Sequence, residues 1–67
     1  MEFKKGMRFE INSNYITLNF ITYCQITKVY KDYIIADCNV LGVQKLNQKF
    51  QKKQLMEYKA NNRIKIN

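Results

Sequence analysis

The chain has 67 residues, no histidine, and 12 Lys and Arg residues against 5 Asp and Glu residues, so its formal net charge is +7. This length predicts one small domain, residues 1–67, with a modest core. Its hydrophobic fraction of 46% is too high for a disordered chain, and no apolar run approaches the roughly 20 residues that a membrane helix requires. Since no apolar signal core follows the first residues, we expect a cytoplasmic protein with no membrane partner.

The first predicted strand covers residues 7–11, where apolar residues alternate with Arg8 and Glu10 in the period-2 pattern of a half-buried strand. The Asn-Ser-Asn sequence at residues 12–14 then predicts a turn or the start of a loop, because short polar side chains bond to their own backbone. Residues 15–22 are apolar and ambiguous. They fit either a long curled loop or a strand arm.

The next segment predicts a β-hairpin. Two runs rich in β-branched and aromatic residues, 23–30 and 33–38, are separated by two polar residues. Two apolar side chains in the first run are three positions apart and would point to opposite faces of a regular strand. A bulge near Thr27 lets both of them face inward. With one bulge residue there, Cys24 lies directly opposite Cys38, and we expect two inward-facing, reduced thiols.

The remaining residues predict a turn, a strand, a helix and a strand. Residues 39–42 form the turn, and residues 43–50 form a fourth strand with alternate side chains, from Gln44 to Phe50, on one face. Good helix formers at residues 52–60 predict a short helix, whose attachment to the sheet we assign to Phe50 and Leu55.

A fifth strand is predicted at residues 63–66, where cations alternate with isoleucine. The resulting order of strand, loop, hairpin, strand, short helix and strand resembles that of the small SH3-like β-barrels of bacterial, phage and plasmid proteins. The positions that carry this resemblance are Gly6-Met7-Arg8-Phe9, Ile26 with Val29, Tyr33-Ile34, Phe50 with Leu55, and Ile64.

The resemblance implies a mainly β fold: a small five-stranded barrel with one short helix before the last strand. It also implies a binding module, in which the first, variable loop at residues 12–22 and the neighbouring strand surfaces contact the partner. One fold hosts many functions, so the resemblance does not select the ligand.

The residues that catalysis and metal binding require are missing. Without histidine, the commonest general base is absent, and two glycines do not make a glycine-rich phosphate loop. Two cysteines are too few for a structural zinc site within one chain. We therefore expect a protein with no enzymatic activity, no cofactor and no metal ion.

Positive charge is concentrated in the last third of the chain. Seven of the 12 cations lie from Gly42 onward, where Glu57 is the only acid. Such a local excess attracts nucleic-acid phosphates or an acidic protein surface, and tyrosines near the cations suit either base stacking or protein contact. The candidate binding residues are Lys45, Lys49, Lys52, Lys53, Arg63, Lys65, Tyr23, Tyr30 and Tyr33.

Two functions fit these residues. The first is the binding of nucleic acid, DNA or RNA, with little sequence specificity, in which the cations contact phosphates and the tyrosines stack on bases. The second is a protein-binding inhibitor or adaptor, encoded by a phage or mobile element, that acts on a host nucleic-acid enzyme or defence system. Binding to any oligonucleotide that weakens steeply with salt favours the first function.

Overall fold

The computed structural model describes residues 2–15 and 18–66, and the side chains of residues 2–13 and 19–66. The predicted mainly β fold with one short helix before the last strand is confirmed, and the helix covers the predicted residues. No helix within the described ranges is long and apolar enough to cross a membrane. The elements are β1 (Arg8–Tyr15), β2 (Leu18–Val29), β3 (Tyr33–Val40), β4 (Val43–Gln51), α1 (Lys52–Ala60) and β5 (Ile64–Ile66).

The five strands form one antiparallel sheet in the order β4-β3-β2-β1-β5, and this sheet is strongly curled. β1 and β4 lie three strand spacings apart, roughly 14 Å in a flat sheet. The rings of Phe9 and Phe50 nevertheless meet edge to face, with their centroids 5.8 Å apart. The curl therefore encloses a core on the inner face, whose buried residues are Phe3, Phe9, Ile11, Cys24, Ile26, Ile34, Ala36, Cys38 and Leu55.

The sheet is not closed into the predicted barrel. β4 and β5 are its two edges and do not pair with each other in the described part of the chain. The helix α1 contacts both edge strands and β3, and so it occupies the gap that strand pairing would close in a barrel. Leu55 is the buried residue of α1, and Phe50 is half-buried against the same core. Both residues predicted to attach the helix thus contact the core.

β1 and β2 extend further than the sequence predicts. The Asn-Ser-Asn sequence at residues 12–14 pairs with residues 19–21 of β2, so the turn predicted at 12–14 is wrong. Of the ambiguous segment 15–22, residues 15 and 18–22 belong to β1 and β2, which confirms the strand-arm alternative for them. Pairing with a neighbouring strand overrides the local turn preference of short polar side chains. Residues 16–17 of the ambiguous segment lie outside the described residues.

The β2–β3 hairpin has the predicted turn and register. Tyr30 and Tyr33 flank the two-residue turn, and the Tyr30 N–H donates to the Tyr33 carbonyl oxygen at 2.9 Å. The register shifts by one residue at Thr27, and Cys24 therefore opposes Cys38. A single bulge residue thus sets which side chains of the two strands share a face.

A second bulge, in β4, was not predicted. The β3–β4 register shifts by one residue between the strand positions paired with Ala36 and with Cys38. Asn47 lies in this stretch of β4 and has a φ of 56°. Gln44 opposes Asn39 and Gln48 opposes Ala36, so the two glutamines lie on opposite faces of the sheet. The predicted single face from Gln44 to Phe50 is therefore wrong, because strict alternation stops at the bulge.

We expect both thiols to be shielded from a thiol reagent in the native protein. Cys24 and Cys38 are each 4% exposed, and their Sγ atoms lie 3.1 Å apart in a hydrogen bond. This hydrogen bond, burial and the repulsion of a second thiolate raise the pKa of the Cys24 thiol and so lower its reactive fraction, whereas the same hydrogen bond lowers the pKa of Cys38, whose shielding therefore rests on its burial. Labelling should be slow in the native state and complete for both thiols in denaturant. Rapid native labelling of both, or none after denaturation, would contradict this expectation.

Candidate functional site

The face of the sheet opposite the core, called here the outer face, is polar and crosses all five strands. Opposed residues of neighbouring antiparallel strands point to the same side of a sheet, so the register assigns each side chain to a face. The residues that the register places on the outer face include Lys65 of β5, Arg8 and Glu10 of β1, Tyr23, Gln25 and Lys28 of β2, Tyr33, Ile35, Asp37 and Asn39 of β3, and Gln44 and Lys49 of β4.

Tyr30, Tyr33 and Lys49 form a contact group at one end of the outer face, called here the tyrosine cluster. The two tyrosine rings are stacked, with centroids 4.7 Å apart and an interplanar angle of 22°. The Nζ atom of Lys49 lies 4.4 Å from the centroid of the Tyr33 ring, a contact that contributes about 0.5–1 kcal/mol at an exposed site. Tyr30 is 43% exposed, so part of its ring is accessible to a ligand.

Four more lysines lie at the same end of the sheet as the tyrosine cluster. Lys28 and Lys49 oppose Ile35 from its two neighbouring strands, so both ammonium groups are on the outer face. The other three lysines line a cavity beside the N-terminus of α1, together with two carboxylates. That cavity includes Lys31, Lys52, Lys53, Asp32 and Glu57. Five lysines against two carboxylates make this end of the sheet strongly positive.

The start of α1 adds to the positive field at this end. The Lys52 N–H donates to the Asp32 carbonyl oxygen at 2.9 Å, which fixes the helix N-terminus beside the β2–β3 turn. The N-cap residue Gln51 makes no side-chain hydrogen bond to the helix, and the described first turn contains no acid. The positive end of the helix dipole therefore lies next to the lysines without a compensating carboxylate in that turn.

Two other predicted cations lie away from the tyrosine cluster. Lys45 opposes Cys38, so the register places it on the inner-face side of the edge strand β4. Lys65 opposes Glu10 on the outer face, but on β5, which is the opposite edge strand of the sheet from β4. The structure thus separates cations that are close in the sequence.

Arg63 is held by contacts within the fold. Its guanidinium carbon lies 4.7 Å from the centroid of the Tyr58 ring, and its Nε donates to the Asn12 carbonyl oxygen at 3.4 Å. The Asn12 N–H in turn donates to the Arg63 carbonyl oxygen at 2.7 Å. These contacts hold Arg63 between α1 and β1, apart from the strands that carry the tyrosine cluster.

Arg8, Lys28 and Lys31 were not among the candidate binding residues predicted from the sequence, because they lie outside the basic last third of the chain. For Arg8, the alternation of polar and apolar residues in the first strand predicts a position on the outer face, because Arg8 precedes the inward-facing Phe9. Lys28 follows the bulge residue, so its face depends on the register shift. Lys31 lies near Lys52 and Lys53 only because α1 packs beside the β2–β3 turn.

The outer face also carries a shallow cavity of about 430 Å³ beside Tyr23, called here the outer-face cavity. Tyr23 is 55% exposed and opposes Asn39, six residues along β3 from Tyr33, or roughly 20 Å. The predicted tyrosines are therefore divided between two places. The polar side chains that line the outer-face cavity are Arg8, Glu10, Tyr23, Gln25, Asp37, Asn39 and Gln44.

One carboxylate of the outer-face cavity has a fixed orientation. The Asn47 N–H donates to Oδ1 of Asp37 at 3.0 Å. Asn47 is the left-handed residue beside the register shift in β4, so the second bulge supplies this donor. The bulge therefore holds the Asp37 carboxylate on the outer face through a backbone contact.

The fold and the outer face together define a small antiparallel sheet protein with one buried face and one polar, exposed face. No protein-family model, curated protein or solved structure matches this chain. The tyrosine cluster, the lysines around it and the outer-face cavity are therefore the features from which a function is proposed.

Proposed function

We propose that this chain is a non-enzymatic binding module, of the small SH3-like type found in bacterial, phage and plasmid proteins, that holds single-stranded nucleic acid with little sequence preference. The observation that carries this proposal is a stacked tyrosine pair, in which Tyr30 is exposed and Tyr33 half-buried, at the end of the sheet that carries five lysines. Aromatic rings beside cations are the usual means of binding a single strand, since bases stack on the rings and phosphates pair with the cations.

Tyr30 is the stacking surface in this proposal. The residue is 43% exposed, and its ring stacks on the Tyr33 ring, which in turn contacts the ammonium group of Lys49. A ring that is already held by its neighbours loses little side-chain entropy when a base stacks on it. Because every base has a π-face, this contact does not select a sequence.

The shape of the outer face favours a single strand over a duplex. The outer side of a curled sheet is convex, and five strands at ordinary spacing are roughly 19 Å wide, which exceeds the B-DNA major groove of about 12 Å. A flexible single strand can follow this convex surface from Lys49 past the tyrosine cluster to Lys28. The positive helix N-terminus then lies at one end of this path.

The salt dependence of oligonucleotide binding tests the proposal. Lys28→Ala combined with Lys49→Ala should reduce the slope of log affinity against log salt by about 1.4, at about 0.7 for each single-strand phosphate that is no longer neutralised. The matched control is Lys45→Ala combined with Lys59→Ala, which removes the same charge from the inner-face side of β4 and the end of α1. Fluorescence anisotropy with a labelled thymidine nonamer measures both slopes.

The control pair should keep the slope of the unmodified protein. An equal reduction in both pairs would show that only net charge matters and that the tyrosine cluster is not the site. Failure of the unmodified protein to bind DNA or RNA nonamers at low salt would reject the proposed function.

A second candidate function, the binding of a partner protein, rests on the β3–β4 turn. Leu41 is 67% exposed at this turn and has a φ of 50°, a conformation that favours glycine or asparagine. Val43 and Leu46 are 57% and 55% exposed on the strand that follows. An apolar group at an exposed turn suits protein contact. Retention of one protein from a cell lysate by a chain that binds no oligonucleotide would favour this second function.

A further inference from the structure

We infer that the outer-face cavity is a binding subsite for a guanine base of the bound strand. This inference rests on the proposed function and goes beyond it, because it gives sequence preference to one position of an otherwise tolerant interface. Tyr23 would stack on the base, and Asp37 would accept hydrogen bonds from its Watson–Crick edge.

Tyr23 supplies the aromatic wall of this subsite. The residue is 55% exposed and belongs to the lining of the cavity. Because Tyr23 is on a central strand that pairs on both sides, its backbone position is fixed by the sheet. A base at this position stacks on a ring whose backbone is held by the sheet, as bases do on the sheets of single-strand binding domains.

Asp37 supplies the selection among bases. Its Oδ1 accepts the Asn47 N–H at 3.0 Å, and an ionised carboxylate offers about four lone-pair sites, so both oxygens can accept further hydrogen bonds. Among the four bases, guanine presents two adjacent N–H donors, at N1 and N2, on its Watson–Crick edge. A carboxylate of fixed orientation pairs with both donors at once, whereas the other bases present single donors beside acceptors that a carboxylate repels.

The other polar side chains of the cavity complete the recognition. Gln25 lies between Arg8 and Asp37 in the register, since it opposes Arg8 on β1 and Asp37 on β3. An amide offers both donors and an acceptor to the remaining edge of a base. The Arg8 guanidinium, on the far side of Gln25 from Asp37, is positioned to pair with the phosphate that precedes or follows the base.

The test compares nonamers of thymidine that carry a single G, A or C at the centre, bound to the full chain and measured by fluorescence anisotropy. We expect the G probe to bind about tenfold more tightly than the thymidine nonamer, the low end of what a two-donor base contact contributes to discrimination, and the A and C probes to bind like thymidine. In the NMR spectrum, the Asn47 amide should shift with the G probe and not with the A probe.

Asp37→Asn isolates the carboxylate, because the asparagine oxygen can still accept the Asn47 N–H. This variant should lose the tenfold ratio between the G and thymidine probes. Glu57→Gln removes the same charge on α1 and should keep the ratio. A ratio is used because any loss of negative charge raises the affinity for every probe.

Equal affinity for all four probes would overturn the guanine subsite and leave the proposed function standing. A ratio that survives in Asp37→Asn would also overturn it. If no probe binds, the proposed function and the subsite both fail, and the two failures are therefore distinguishable.

Discussion

Leu55→Ala should lower the free energy of unfolding by about 2–5 kcal/mol, the range for a buried leucine that leaves a cavity. Leu55 is 0% exposed and is the residue through which α1 enters the core. At roughly 0.05–0.15 kcal/mol per residue, a chain of this size has only about 3–10 kcal/mol of total stability. We therefore expect the variant to lose a large share of its stability and to unfold at a much lower urea concentration than the unmodified protein. Urea denaturation followed by far-UV circular dichroism measures the loss.

Met56→Ala is the matched control for this variant. Met56 is the next residue of the same helix and is 52% exposed, so its truncation should change stability by no more than about 0.5 kcal/mol. If Leu55→Ala were as stable as Met56→Ala, α1 would not be attached to the sheet through Leu55. The open side of the sheet would then need another cover.

Tyr30→Ala should weaken the binding of a thymidine nonamer by about 5- to 150-fold, which corresponds to the 1–3 kcal/mol that one stacked base contributes. The physical reason is the loss of the Tyr30 ring, which is stacked on the Tyr33 ring with the two centroids 4.7 Å apart. The salt slope should stay unchanged, because no phosphate contact is removed. Affinity and slope come from the same anisotropy titration.

Tyr30→Phe separates stacking from hydrogen bonding. The phenyl ring keeps the π-face and loses only the hydroxyl group, so we expect affinity close to that of the unmodified protein. A loss in Tyr30→Phe as large as that in Tyr30→Ala would assign the contact to the hydroxyl group. Unchanged affinity in Tyr30→Ala would remove Tyr30 from the interface.

The hairpin register was the most predictable part of the fold. Inward-facing residues on both sides of Thr27 require one extra residue in β2, and that residue alone places Cys24 opposite Cys38. The β4 bulge at Asn47 had no such signal, because that strand is largely exposed on both faces and has little hydrophobic pattern to interrupt. A register is readable from sequence only where one face is buried.

Barrel closure was predicted and did not occur, because alternation shows which side of a strand is buried but not how far the sheet curls. The helix α1 covers the space between β4 and β5, and this covering uses a single buried side chain, Leu55. A short helix that packs beside one strand and a short helix that fills the space between two edge strands have the same hydrophobic pattern in sequence, so the pattern does not distinguish them. The difference lies in the packing of distant elements.

The candidate site was only partly predictable for a related reason. Charge counted along the chain selected Lys49, Lys52 and Lys53, and the structure brings all three to one end of the sheet with Tyr30 and Tyr33. Lys28 reaches the same face from the middle of the chain through pairing with Ile35. Proximity on a sheet depends on strand order, which no local pattern of charge contains.

The pairing of β5 with β1 has a consequence for the order in which the chain folds. β2, β3 and β4 are joined by short turns, whereas Phe9 finds its partner Ile66 near the other end of the sequence. The entropy of closing so long a loop is lost before this pair forms. We therefore expect β1 to β4 to pair before β5 is added, and until β5 binds, the edge of β1 is open to pairing with other chains.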